Sequence, residues 1–238
     1  MTANERNGAD APGPLLFSDA EAVAASGMPV PSLRVMQAAG AIQAQKTPKA
    51  HGGFRRSWRE GDILIAAIGA AMSKHFEWNI RLVSEAMAKG RGETWGVLTE
   101  PIAGTMSTDS DDLILSTDDD WHLDLFDRKL LFLRVPLVMT TMLPGAVFGQ
   151  TSLILGWVTS RGTFEILPWR LGNPEGRRRI ARNLPPEEFD RVMRLYRFAN
   201  ACRDHALSIT SVNITLPVRA AWRRLRGLEA RFVQDEIP

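Results

Sequence analysis

SDAEAVAASGMPVPSLRVMQAAGAIQAQKTPKAHGGFRRSWREGD, residues Ser18 to Asp62, is the stretch that decides the fold. Between Glu21 and Glu60 it holds no carboxylate, yet Arg34, Lys46, Lys49, Arg55, Arg56 and Arg59 all fall in that interval. A run of one sign repels itself unless a fold or a polyanion organises it. Ala20, Val23 and Ala24 are spaced as one helix face, and Ser18 with Glu21 forms an S-x-x-E capping box. Ser26-Gly27 ends that helix, glycine being suited to the left-handed turn position. A second helix opens at Pro29 to Pro31, because proline is tolerated only in a first turn. On it Leu33, Met36 and Ala39/Gly40 share one face and are expected to pack on the first helix, with Ser32 and Arg34 outside. Two short helices joined by a glycine turn predict a helix-turn-helix, whose second helix enters a DNA major groove.

Outward from this unit, Lys46-Thr47-Pro48-Lys49 and His51-Gly52-Gly53 predict a hairpin with a mobile tip. Cations on such a hairpin can grip phosphates beside a reading helix. Trp58 has two possible places: against sugar-phosphate, or packing the hairpin onto the helix. Glu60 and Asp62 are acids favoured in a helix's first turn. Helices are expected over 62–74 and 77–88, with Gly90-Arg91-Gly92 as a boundary.

Gly27-Met28-Pro29-Val30-Pro31-Ser32-Leu33-Arg34, followed by Gly40-Ala41-Ile42, resembles the recognition helix of MerR-type winged-helix regulators. The shared pattern is a Gly, a Ser/Thr-Leu-Arg triplet, then Gly with two apolar residues. Arg56-Ser57-Trp58-Arg59-Glu60-Gly61-Asp62-Ile63 resembles that family's wing exit. The resemblance is confined to the N-terminal part of the chain, and Val35 and Met36 stand where the family has aromatics. It implies double-stranded DNA as the partner. Val30, Pro31, Ser32 and Arg34 would contact it from the helix, and Lys46, Lys49, Arg55, Arg56 and Trp58 from the wing. No long dimerising coiled coil follows, so a homodimer would form through the C-terminal half.

The 238 residues suffice for one good-sized core or two smaller ones. A net charge of +2 is mild, so the distribution of charge says more than its total. A single cysteine, Cys202, excludes an internal disulfide and a multi-cysteine metal site; it is expected to be a small buried hydrophobe. Residues 1–17 read as a disordered tail without a signal-peptide core. Val135 to Ser160 carries no charge and is long enough to span a bilayer. Pro144-Gly145 interrupts it, however, and its β-branched content suits buried strands around a turn. No membrane association is expected, and the location is expected to be cytoplasmic.

Residues 94–238 change texture. Short strands are expected at 97–98, 113–115, 122–126, 130–138, 153–158 and 164–167, a helix over 185–206, and a last strand over 209–216. The fold class is therefore α+β: a winged helix-turn-helix over 18–90, then a mainly antiparallel α+β domain over 94–238 for sensing, dimerisation or recruitment. The aspartates between Asp109 and Asp127 lack the Gly and Glu of a calcium loop and read as solvated turns. His122 with Asp120 and Asp124 shares one strand face by alternation alone. Arg177-Arg178-Arg179 with Arg182, and Arg219 to Arg226, read as solvated helix faces. No nucleophile elbow, zincin or P-loop motif occurs. No enzyme, metal or cofactor is therefore expected. The function expected is sequence-specific DNA binding by a bacterial-type transcriptional regulator or mobile-element factor. The alternative is an interaction module that keeps the winged helix without DNA.

Overall fold

Ser18 starts the ordered helices as its sequence dictates. Its hydroxyl accepts from the Glu21 backbone N–H, and the Glu21 carboxylate accepts from the Ser18 N–H at 2.7 Å, closing the capping box. The helix α1 (Asp19–Ser26) ends at Gly27, whose φ of 71° is left-handed. The Ser26 hydroxyl stitches this turn, donating to the Ala22 carbonyl at 2.6 Å and accepting from the Met28 N–H. α2 (Val30–Ala38) carries proline in its first turn. It closes with paired bonds, Ala41 N–H to the Met36 carbonyl and Gly40 N–H to the Gln37 carbonyl, around Gly40 at φ 83°. This 6→1 and 5→2 pair is a Schellman ending.

The computed structural model describes residues 15–48, 52–90, 95, 99, 113–114, 120–134, 152–166 and 185–232. Within them the chain is mixed α+β. β1 (Leu16–Phe17), β2 (Ala44–Pro48) and β3 (Phe54–Arg59) form a small antiparallel sheet in the order β1-β3-β2. α3 (Glu60–His75) and α4 (Ile80–Lys89) follow, α4 capped by the Asn79 side chain. β4 (Leu113–Ile114) pairs in parallel with β10 (Arg231–Phe232). β5 (His122–Phe126), β6 (Leu130–Arg134), β7 (Ser152–Val158), β8 (Phe164–Ile166) and β9 (Ile209–Asn213) make an antiparallel sheet ordered β8-β7-β6-β5-β9. The remaining helices are α5 (Pro186–Asp204) and α6 (Thr215–Leu225).

Alternation in the large sheet splits its side chains between two cores. Leu123, Leu125, Leu131, Leu133 and Val212 join one buried cluster with α1, α2, α3, α4 and α6. Phe126, Leu130 and Phe132 point the other way, onto Met193 and Ala199 of α5. The first cluster takes residues from both sides of Gly90. Leu33 and Met36 are buried as their spacing predicts. Their setting differs from the expectation: α2 packs chiefly on α4 rather than α1. A Cβ added at Gly69 of α3 would lie 3.0 Å from the Met36 methyl, so that glycine gives Met36 its room.

The strand expected over 209–216 stops at Asn213. Its side-chain oxygen accepts from the Thr215 and Leu216 N–H groups at 2.9 and 3.2 Å, starting α6 with Pro217 in its first turn. Asparagine before a proline-bearing first turn is a legible helix start. Most of the stretch 135–160, including Pro144-Gly145, lies outside the described residues; its described end, 152–160, is β7 and the turn after it. Among the described residues no helix is long and apolar enough to cross a membrane.

Candidate nucleic-acid interface

The outer face of α2 follows from its inner one. With Leu33 and Met36 held in the core, Pro31 and Arg34 are exposed and Val30 and Ser32 half-buried. No side chain caps the α2 N-terminus. Arg34 makes no ion pair with a described carboxylate.

The hairpin is held at its base and bare towards its tip. Ala44 pairs with Trp58, Gln45 with Ser57, Lys46 with Arg56, Thr47 with Arg55 and Pro48 with Phe54. Facing partners share a sheet face, so Ala44, Lys46, Pro48, Phe54, Arg56 and Trp58 lie on one side. Near the base this side is core, and Trp58 is 1% exposed. Further out it leaves the core: Lys46 and Phe54 are exposed and Arg56 half-buried. Gly52 and Gly53 shape the tip at φ 85° and 79°. Lys49 lies outside the described residues.

Two carboxylates at helix starts fix the hairpin's angle. The Trp58 indole N–H donates to the Asp19 carboxylate at 2.7 Å, and the Gln43 N–H donates to Asp62 at 2.8 Å. This corrects the placing of Trp58 among DNA-contacting residues, because a ring so enclosed has no face left for a duplex. Asp19 and Asp62 are the positioning residues that sequence reasoning left without this role. Their signal was an acid in a first helical turn, which more often serves the helix dipole alone. Arg55 is exposed and close enough to act on Glu21. The Ser18 backbone and hydroxyl bonds, helped by Arg55, hold the Glu21 carboxyl below its ordinary range.

Lys46 directly opposite Arg56 is an unfavourable pairing, since like charges across a strand pair destabilise it. Neither forms an ion pair with a described carboxylate, and the Arg56 Nε is buried with no hydrogen-bond partner among the described residues. The arginines of α6 are the opposite case. Arg219 meets Asp120 at 2.9 Å, Arg223 donates to the Glu229 carbonyl, and Arg224 donates to the Ala25 carbonyl. Arg226 meets Glu60 at 3.2 Å and lies 3.7 Å over the Trp222 ring. The expectation of a solvated basic face there is corrected in part: Arg223 is buried and Arg219 half-buried in contacts within the fold, while Arg224 and Arg226 stay exposed but hold partners of the chain. The cluster at Arg177–Arg179 and Arg182 lies outside the described residues.

Two aspartates of the acidic stretch depart from its reading as solvated turns, while Asp127 sits in an exposed turn and Asp109, Asp111, Asp112, Asp118 and Asp119 lie outside the described residues. Asp120 and Asp124 are buried, Asp124 bonded to Arg134 at 3.0 Å and to the Ser211 hydroxyl at 2.7 Å. Asp120 accepts from the Asn213 amide at 2.6 Å. Burial, with Arg134 adding to it, pushes the His122 pKa below its ordinary value. Among the described residues no His, Cys, Asp and Glu group could hold a metal ion. Cys202 is half-buried beside the α5 core. No family model matches the chain, and no curated protein or solved structure is detectably similar to it.

Proposed function

We propose that this chain binds double-stranded DNA, with residues 18–90 acting as a winged helix-turn-helix. In this reading α2 is the reading helix and β2–β3 the wing, and the chain is a bacterial-type, cytoplasmic transcriptional regulator or mobile-element factor. The observation that carries the reading is the contrast between two sets of cations. Arg219 of α6 and Arg226 just after it are paired with carboxylates of the fold, whereas Lys46 and Arg56 face one another with no described counter-charge. A like-charged pair kept at a structural cost is accounted for by an anion that arrives from outside. A phosphate backbone presents such anions at regular spacing. Arg34 and Pro31 on α2, with Val30 and Ser32 beside them, would supply base or phosphate contacts next to the wing.

The test is a fluorescence-anisotropy titration of a labelled random duplex at several salt concentrations. Four to five wing and helix cations on phosphates predict a slope of log K against log salt of roughly −4, at about −0.9 per contact. Binding that does not weaken with salt refutes the proposal.

One observation favours the second reading, an interaction module. Phe54 at the hairpin tip is 61% exposed, and Pro48 lies opposite it. An apolar tip suits a protein groove better than a phosphate backbone. No duplex binding in the same titration moves the hairpin to that role. A homodimer through the C-terminal half would draw on Phe198, Leu207 and Ile209, all exposed. Sedimentation of a monomer both free and on DNA removes it.

A further inference from the structure

At the α1–α2 turn lies a cleft of about 610 Å³ walled by α3, β9 and α6. Its size falls within the range of roughly 300–1,000 Å³ typical of small-molecule sites. We propose that it binds a small amphipathic organic anion, a carboxylate or sulfonate carried on an apolar ring or chain.

Two features assign that class. The walls are apolar where Ala67 and Ala71 of α3 face Val212 of β9 and Leu216 of α6, and the alanines keep the space open. The fixed charges, Lys74 and Arg224, are of one sign, among the neutral polar side chains of Ser26, Ser211 and Asn213. Lys74, His75 and Arg224 line the cleft, and no Asp or Glu does. Lys74 and His75 form no ion pair with a described residue. Arg224 uses one nitrogen on the Ala25 carbonyl, at 3.2 Å, which holds the guanidinium at the cleft wall. An anion between Lys74 and Arg224 would gain charge-assisted bonds from both, while its apolar body replaced water against the alanines.

Ser26 and Gly27 also line the cleft. An occupant therefore touches the turn that sets α2 against α1. Any effect on DNA binding rests on the function proposed above; occupancy itself does not, and it is measured without DNA.

The probe is 1-anilinonaphthalene-8-sulfonate, titrated by fluorescence into the full chain. N-phenyl-1-naphthylamine, the same ring system without the sulfonate, serves as the neutral control. A smaller cavity of about 340 Å³ lined by Trp157, Phe198 and Cys202 is the competing site. The expected result is saturable sulfonate binding, weakened about tenfold by Lys74→Glu through loss of one charge-assisted contact. Ala71→Trp, which fills the cleft, abolishes it, and Phe198→Ser leaves it unchanged. Lys74 is exposed, so its variant is expected to melt like the parent. It decides the matter alone if Ala71→Trp does not fold. Equal affinity for the neutral ring, no effect of Lys74→Glu, or loss of binding in Phe198→Ser overturns the proposal.

Discussion

Replacing Lys46 and Arg56 together by glutamine separates the proposed function from folding, because the two quantities should move in opposite directions. The pair faces across the hairpin in register. Two charges about 8 Å apart in water repel by about 0.5 kcal/mol. The double variant removes that repulsion and also the buried Arg56 Nε that lacks a partner. Its melting temperature should therefore hold or rise by about 1–2 °C, the equivalent of roughly 0.5 kcal/mol in a chain of this size. Duplex binding should suffer. Losing two phosphate contacts lowers the salt slope by about 1.8 units. Between 50 and 200 mM salt, a fourfold step, that makes the variant's loss of affinity about tenfold smaller than the parent's. Thermal melts and anisotropy titrations at those two concentrations provide both readings. A variant that is clearly less stable, or that keeps the parent's salt slope, refutes the reasoning: in the first case the cations serve the fold, in the second they do not touch phosphate.

Arg34→Ala should narrow the affinity gap between a specific and a random duplex by about 1–3 kcal/mol if the side chain reads a base edge, whereas Arg55→Ala should weaken both alike; titrating each variant on both duplexes distinguishes them. Trp58→Phe deletes the bond to Asp19 and should cost about 1.5–3 kcal/mol in urea unfolding, since that bond ends on a charged group. Gly156→Ala should cost about 3 kcal/mol or more, because its Cβ would lie 2.1 Å from the Glu165 carbonyl oxygen and force β8 off β7; an unchanged urea midpoint would contradict the close approach. His122 has a lowered pKa when folded, so the unfolded chain takes up its proton first. Stability should fall as pH drops below about 6.5, and His122→Gln should flatten that part of the profile.

What the sequence made legible was local. The capping box spans Ser18 to Glu21, the left-handed turn sits on Gly27, and the hairpin tip sits on Gly52-Gly53; each is a signal contained within a few residues. What stayed hidden was the destination of long side chains. The Trp58 indole finds Asp19 on another element, and Arg226 finds Glu60 from the far end of the chain. Asp120 and Asp124 look like solvent-facing acids only while their partners Arg219, Arg134 and Ser211 are out of view. In the same way, the spacing of Leu33 and Met36 fixed that they are buried, but a helical period carries no label for the helix across the interface. Whether a cation is free for a ligand is thus decided by contacts that sequence distance conceals.

The packing of α6 on α1 and α3 has a consequence for synthesis. Arg224 reaches the Ala25 carbonyl across 199 positions, and Val218, Ala221 and Trp222 complete the cluster that begins at Ala22. A nascent chain therefore carries α1 and α3 with one apolar side uncovered until α6 emerges. About 150 residues separate the end of α3 from that of α6, which at roughly 5–20 residues per second is a wait of about 8–30 s on the ribosome. The segment with the most local signals is made first and finished last, so its apolar side is what a nascent-chain chaperone would meet.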